Sequence, residues 1–352
     1  MSKKVEVLWL SQGDVVAAGG LDMAATMDDV EEVFRLHATG GYVLPEKIVL
    51  EWEESPPDRK KEERHGKQNH VNIMPGYVGG RFNALGLKTI ASFPRNPFER
   101  GLPRASALVE LCDPEVGLPL AVMDGTLISA MRTGAASGVG VKYLAREDVT
   151  RVGLIGAGVQ CRTQLMAVQV ARPNIQRADV FDIHRDRAEA FAAEMSERLD
   201  LDVRVAEGAE EVVREAEVLV TATTTTRPIV HDGWLAPGST YAHVSGYECE
   251  YDVIRRADKV LVDDWNLVKH RMYSTVAYMW RDGEFADDDV YAELGQVVAG
   301  QKPGRENDRE LIIFSPIGLG LHDIAVASRI YATARRKGLG QKVTLWDEPL
   351  WM

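Results

Sequence analysis

Two rhythms of apolar and polar positions divide the chain. Up to residue 136 the apolar runs are short and follow one another directly. They read "EKIVLEW", "VNIMPGYV", "NALGLKTIASF", "ASALVELCD" and "LPLAVMDG", each bounded by Pro, Gly or charged residues. Strands in series with no helix between them predict an antiparallel sheet. A first strand over "VEVLWL" and a helix precede them. In "LDMAATMDDVEEVFRLHATGG", Met23, Met27, Val30, Phe34 and His37 recur at intervals of four and three. That spacing is one face of a helix, read as core, which Gly40 and Gly41 terminate. "GTLISAMRTGAASGVGVKYLA" is helical in pattern despite its glycines.

From Arg151 the rhythm changes. "RVGLIG", "ADVFDI", "DVRVA", "EVLVTAT", "TYAHVS" and "DKVLVDD" are strand-like, and amphipathic stretches such as "QCRTQLMAVQVA" and "RAEAFAAEMSERL" separate the earlier ones. Nearly all-apolar strands alternating with helices predict a parallel sheet buried on both faces. "LIIFSPIG" reads as its last strand. The helix "IAVASRIYATARRKG" carries Arg335, Arg336 and Lys337 in its last turn with Gly338 beyond it, matching the helix dipole and a left-handed cap. The expected organisation is α/β, with a doubly wound domain at 137–314 and a second domain built from 1–136 and 315–352.

Composition narrows the function. Of 352 residues 45% are hydrophobic and 27% charged, and the net charge is −12. Such a balance opposes broad nucleic-acid binding, which needs a basic face. The basic run "DRKKEERHGK" (58–67) is broken by acids and reads as a solvated loop. No window predicts a membrane span. The N-terminus lacks the long apolar run and cleavage site of a signal peptide. Cys112, Cys161 and Cys249 are far apart with no CxxC pair, and the histidines include no HExxH. The expectation is reduced thiols in a cytoplasmic protein with no metal site, acting on small molecules.

The candidate chemistry starts at "RVGLIGAGVQCRTQL". Gly156 permits a tight turn after the strand, and Gly158 lets backbone approach a pyrophosphate at the helix N-terminus, with Ala157, Val159 and Gln160 in the same loop. Cys161 stands at the third glycine position and is small enough for close packing. Asp182 ends the next strand, 24 residues beyond Gly158. An acid there accepts hydrogen bonds from ribose hydroxyls and repels a 2′-phosphate, so NAD is favoured over NADP. Arg185 and Arg187 keep NADP open. "TATTTT" (221–226) ends the fourth strand, and its hydroxyls, Thr221 and Thr223 among them, fall at the crevice beside the ribose and nicotinamide.

Two cations stand in apolar surroundings: Lys88 in "ALGLKTIASF" and Arg132 in "LISAMRTGAAS". An unpaired buried charge is costly, so the alternatives are a carboxylate or imine site and a structural ion pair. A substrate anion would satisfy both cations.

The chain resembles the ornithine cyclodeaminase/μ-crystallin superfamily. The resemblance rests on "GLPLAVMDGTLISAMRTGAAS", "VGLIGAGVQ", "ADKVLVDDW", "AELGQVVAG" with "PGREND", and "SPIGLGLHD". "SFPRNPFERGLPRAS" and "VYAELGQVVAGQKPGRENDRELII" resemble the branch containing N-(2-amino-2-carboxyethyl)-L-glutamate dehydrogenase and proteins similar to a tyramine oxidase component. The resemblance implies a Rossmann domain and a substrate-binding, dimerising N-terminal domain completed by the chain's end, hence a homodimer. It places the substrate carboxylate on Lys88 and Arg132, with Lys47 at a further basic position usually occupied by arginine. Lysine lacks the planar fork of arginine. Glu248 in "SGYECEYD" takes the position of the cyclodeaminase's catalytic aspartate, and Ile317 and Gly318 that of the segment passing the nicotinamide. Asp323 matches a family acid without a derived role.

The implied chemistry is hydride transfer between an amino-acid Cα and NAD. Lys88 and Arg132 position the substrate, and Glu248 acts as general base, so Glu248→Gln is expected to abolish turnover. Cyclodeamination, net dehydrogenation and imine reduction all follow from that step. The rival readings are a non-catalytic nucleotide-dependent ligand carrier and a non-catalytic component of an amine-oxidising complex.

Overall fold

The computed structural model describes residues 4–52 and 69–351. The charged run 58–67 and the loop 53–69, save Asn69, lie outside the described residues. The chain forms two compact units. The first comprises residues 4–52, 69–132 and 319–351, the second 133–318.

The first unit is built on strands β1 (Val5–Leu10), β2 (Tyr42–Val43), β3 (Ile48–Leu50), β4 (His70–Val78), β5 (Ala84–Ser92), β6 (Ala105–Cys112), β7 (Pro119–Asp124) and, from the far end of the sequence, β16 (Gln341–Trp346). The sheet order is β16-β1-β7-β6-β5-β4-β2, with β3 also pairing β4. β4 to β7 form the expected antiparallel meander. β1, by contrast, lies parallel to β7 and antiparallel to β16. β16 was not anticipated, although "QKVTLW" alternates polar and apolar residues.

Cross-strand register lines up Met74, Lys88, Val109, Met123 and Leu10 in one row across five strands. All five are buried, so Lys88 is the one charge in an apolar row. The helix Gly320–Lys337 lies against β4, β5 and β6 on this face. Leu321 and Ile324 approach Gly76, and Met74 backs Gly320. Helix Met23–Thr39, capped by the Asp22 side chain on the Ala25 N–H, packs beside it. Its buried residues include Met23, Met27, Val30, Phe34 and His37, the stripe read from the sequence. On the opposite face of the sheet Trp9, Leu108, Val343 and Leu345 remain between 44 and 49% exposed.

The second unit is an all-parallel sheet. Its strands are β8 (Arg151–Ile155), β9 (Arg177–Phe181), β10 (Asp202–Val205), β11 (Val218–Thr221), β12 (Thr240–His243), β13 (Lys259–Val262), β14 (Ala292–Glu293) and β15 (Ile312–Phe314), in the order β10-β9-β8-β11-β12-β15-β13-β14. Alternate residues of one strand feed separate cores. Val218 and Val220 join a cluster around Leu165 and Phe191, whereas Leu219 joins one around Tyr241 and Val276. Strand order reverses between β8 and β11. In open α/β sheets ligands bind in the crevice beyond the strand ends at that point. Among the described residues no helix is long and apolar enough to cross a membrane.

Candidate functional site

The sequence-predicted residues fall into two sets, one in each unit. In the first unit Lys88, from the middle of β5, is fully buried, and its Nζ donates to Asp323 Oδ2 at 2.7 Å and Ser129 Oγ at 3.1 Å. Arg132, on the helix Thr126–Leu144, brings its Nε to 3.2 Å from both oxygens of the same carboxylate. Asp323 has no exposed surface. One internal carboxylate thus serves two cations, where the sequence alone left an ion pair and a substrate anion as alternatives. The ion pair is present, and Asp323 neutralises one of the two positive charges. Burial and the Arg132 charge draw the Lys88 ammonium down to about 8 against the opposing pull of Asp323. Lys88 is therefore cationic at neutral pH and loses its proton within reach of it. Lys47 is half-buried ahead of β3 and acts electrostatically on His322 beside this cluster. Ser129 and the role of Asp323 were invisible in sequence, because Asp323 lies 235 positions from the lysine it pairs.

In the second unit β8 ends at Gly156, whose φ of +106° suits glycine. A Cβ there would lie 2.8 Å from the Ala222 carbonyl at the end of β11. The turn leads into the helix Val159–Ala171 through Gly158 as N-cap, with no side chain capping it. A helix N-terminus without a side-chain cap presents backbone N–H groups and the positive end of the dipole. A Cβ on Gly158 would meet nothing within 4 Å, and Gln160 Oε1 is buried without a partner. Val159 is exposed, while Ala157 and Cys161 are buried. Asp182 accepts from the Ala157 N–H and the His184 N–H, each at 2.9 Å. Each carboxylate oxygen keeps a second lone pair for a ribose hydroxyl. This loop has the open approach, donors and acid that a dinucleotide requires. Arg185 is held by Glu189 and by both oxygens of Glu207, all at 3.0 Å.

Beyond β11 and β12 lies Glu248, with no exposed surface. It is therefore not a solvated loop carboxylate. Its Oε2 accepts from Thr221 Oγ1 at 2.6 Å and the Ser245 N–H at 3.2 Å. Its Oε1 accepts from the Thr223 N–H and Thr223 Oγ1, both at 2.7 Å. Four donors fill the roughly four lone-pair positions of a carboxylate. Burial pushes the Glu248 carboxyl up, against the pull of these donors. Tyr241 adds its hydroxyl to Thr221 at 2.8 Å. His243 Nε2 lies 3.9 Å from Glu248, outside hydrogen-bond range, while its Nδ1 meets Ser315 Oγ at 3.0 Å. Burial holds the His243 imidazole at about 4, hence neutral. Ile317 and Gly318 follow β15. Their N–H groups donate to the buried carboxylate of Asp263, Ile317 at 2.9 Å and Gly318 at 2.5 Å. Asp263 is a second missed residue. It ends the apolar "KVLV" of β13, as Asp182 follows β9. Among the described residues no group of three or more His, Cys, Asp and Glu is arranged to hold a metal.

Comparison with known proteins places this geometry. The family model described as ornithine cyclodeaminase/mu-crystallin matches residues 12–338. The N-((2S)-2-amino-2-carboxyethyl)-L-glutamate dehydrogenase of Staphylococcus aureus is 33% identical over 342 residues, covering 97% of this chain and 99% of that protein. The alanine dehydrogenase of Archaeoglobus fulgidus is 36% identical over 346 residues, covering 96% and 98%. Among solved structures, the Δ(1)-pyrroline-2-carboxylate reductase of Thermococcus litoralis in complex with NADH and L-proline superposes with a TM-score of 0.86 at 35% identity. It covers 96% of this chain and all of that one. A two-unit α/β chain with a glycine-turn nucleotide loop and matches over nearly its full length leaves one assignment: the chain belongs to the ornithine cyclodeaminase/mu-crystallin family.

Proposed function

We propose that this protein is an NAD-dependent oxidoreductase that interconverts an amino acid and its imine. The observation that carries the reading is the pairing of two features. One is a nucleotide loop whose Gly158 faces open space ahead of a helix N-terminus without a side-chain cap. The other is a buried cation pair with one charge left over for a carboxylate. When bound, NAD supplies the acceptor or donor of the hydride.

The chain's own residues do the rest. Gly156 to Gln160 bind the pyrophosphate, and Asp182 the ribose. With Asp182 bridging to the loop and Arg185 held by acids, NAD is favoured over NADP. Lys88 and Arg132, joined by Lys47, hold the substrate α-carboxylate, an orienting effect. Lys88, at about 8, is also suited to exchange a proton with the substrate amine. Glu248 is a positioning residue in this reading. Its four donors come from Thr221, Thr223 and Ser245, so it ties together the ends of β11 and β12. That geometry favours a clamp over the general base that the resemblance implies. Ile317 and Gly318, fixed by Asp263, form the third segment at the nicotinamide.

Two further features support the setting. Three free thiols suit a reducing, cytoplasmic environment. The half-exposed apolar side chains Trp9, Leu108, Val343 and Leu345 on one face of the sheet suit pairing with a second copy, and the archaeal alanine dehydrogenase at TM-score 0.86 is a dimer with bound NAD.

The test is purified protein with NAD and a panel of alanine, ornithine, arginine and an N-carboxyethyl-glutamate-type secondary amine, followed for both NADH and ammonia. NADH formation supports a net dehydrogenase. Ammonia without NADH identifies a redox-neutral cyclodeaminase. Silence in both channels with NADH binding intact refutes the enzymatic reading in favour of a carrier.

A further inference from the structure

His322 sits one residue before Asp323 on the helix Gly320–Lys337, with no exposed surface. Neither Nδ1 nor Nε2 has a hydrogen-bond partner. Its ring meets the edge of Phe34, centroids 4.7 Å apart, which offers no polar group. Native interiors pair the large majority of buried polar side-chain atoms, and an orphan is costly. Here both nitrogens of one ring are orphaned, beside the carboxylate that organises Lys88 and Arg132. The protein keeps a polar group where an apolar one would pack, and nothing around it in the fold uses that polarity.

We propose that His322 is a specificity residue that receives the side chain of the substrate, and that this side chain ends in a carboxylate. The inference rests on the amino/imino-acid reading above and names the substrate class. The α-carboxylate is accounted for by the charge that Asp323 leaves on Lys88 and Arg132, so a second group must meet the imidazole. The chemistry of that group follows from the surroundings. Arg132, Lys88 and Lys47 act on the ring and Asp323 follows it on the helix, three cations against one carboxylate, and burial above all holds the imidazole neutral. A neutral imidazole offers one N–H donor, and three cations against one carboxylate leave a positive surplus, beyond what the α-carboxylate takes up, that favours an anion to accept from it. An aliphatic side chain would leave both nitrogens as they are.

Two variants test this in the intact protein. His322→Leu removes the polarity at similar bulk, and His322→Gln restores a donor and an acceptor. The probes are L-aspartate, L-glutamate and an N-carboxyethyl-L-glutamate against L-alanine and L-norvaline. Each is measured as kcat/KM with NAD, and as binding to the NADH complex by calorimetry. Expected is a preference for the dicarboxylic probes that falls about 10- to 100-fold in His322→Leu, the range of one hydrogen bond to a charged group. The aliphatic probes change less than about threefold, and His322→Gln recovers part of the loss. The ligand-free His322→Leu protein melts at a higher temperature than wild type, because an orphan polar group has been removed; a structural role would lower it. An equal effect on both probe classes, or none, overturns the proposal, and so does a wild type that turns over alanine but neither binds nor converts any dicarboxylic probe. A wild type that turns over nothing yet binds dicarboxylates through His322 sinks the enzymatic reading and keeps this one.

Discussion

Glu248→Gln separates two roles for the most heavily hydrogen-bonded side chain of the second unit. The carboxylate accepts four hydrogen bonds, two from hydroxyls and two from the backbone N–H groups of Thr223 and Ser245. Glutamine has one acceptor oxygen and an NH2 that only donates. Thr221 and Thr223 can rotate their hydroxyls to accept, but a backbone N–H cannot reverse. Whichever way the amide turns, one N–H is left facing a donor. The shorter bond to Thr223, 2.7 Å against 3.2 Å for Ser245, directs the amide oxygen toward Thr223 and strands Ser245. An unsatisfied buried N–H costs about 1–3 kcal/mol, partly offset because a buried charge disappears. The expected net destabilisation is about 1–2 kcal/mol, with a comparable loss of loop positioning that lowers kcat about 5- to 30-fold. The assay is kcat and KM from pH 6 to 9, with NADH affinity measured separately by fluorescence. A clamp predicts a modest fall in kcat, weaker NADH binding and an unchanged pH profile. Loss of about 100-fold or more in kcat, with NADH affinity intact and the acidic limb gone, is the signature of a general base and would refute the reasoning.

The remaining predictions concern charge and backbone. Lys88 has its proton lost near pH 8 rather than above 10, so its cation is present below that pH and disappears above it. The substrate KM should therefore rise through pH 8 to 9 while NADH affinity stays flat, and Lys88→Met should remove the dependence. Asp323→Asn leaves two buried cations against a neutral group and should cost about 3–5 kcal/mol, read from the denaturant midpoint. Gly156→Ala forces a Cβ into φ +106° and to 2.8 Å from a carbonyl, so it should destabilise the second unit. Gly158→Ala meets no protein atom and should leave the melting temperature unchanged while weakening NADH binding; equal stability losses in the two variants would contradict the open approach.

What the sequence disclosed was local. The glycine turn, Asp182 and the alternation of apolar strands with amphipathic helices are signals carried within some thirty residues, and each appears where expected. The oddness of Lys88 and Arg132 was equally plain, since a charge in an apolar run stands out. Its resolution was not, because Asp323 reaches them through tertiary folding from the far end of the chain. The same holds for Glu248. "ECEYD" displays three acids alike, and only the assembled ends of β11 and β12 distinguish the one with four donors. β16 escaped because a short alternating strand beyond a helix cap carries little signal until β1 is there to pair with it.

The discontinuity of the first unit bears on how the chain is made. Residues 133–318 are contiguous, so a ribosome delivers all of the second unit's described parts in one passage. The first unit begins earlier and finishes later. Until residue 323 emerges, Lys88 has no carboxylate, and until residues 341–346 emerge, β1 has an open edge. A nascent chain therefore holds an unneutralised cation and a strand paired on one edge alone while more than half of the protein is synthesised. Such an edge is open to wrong partners. Co-translational assembly of this protein should depend more on chaperone protection of its first 132 residues than on the nucleotide-binding unit that follows them.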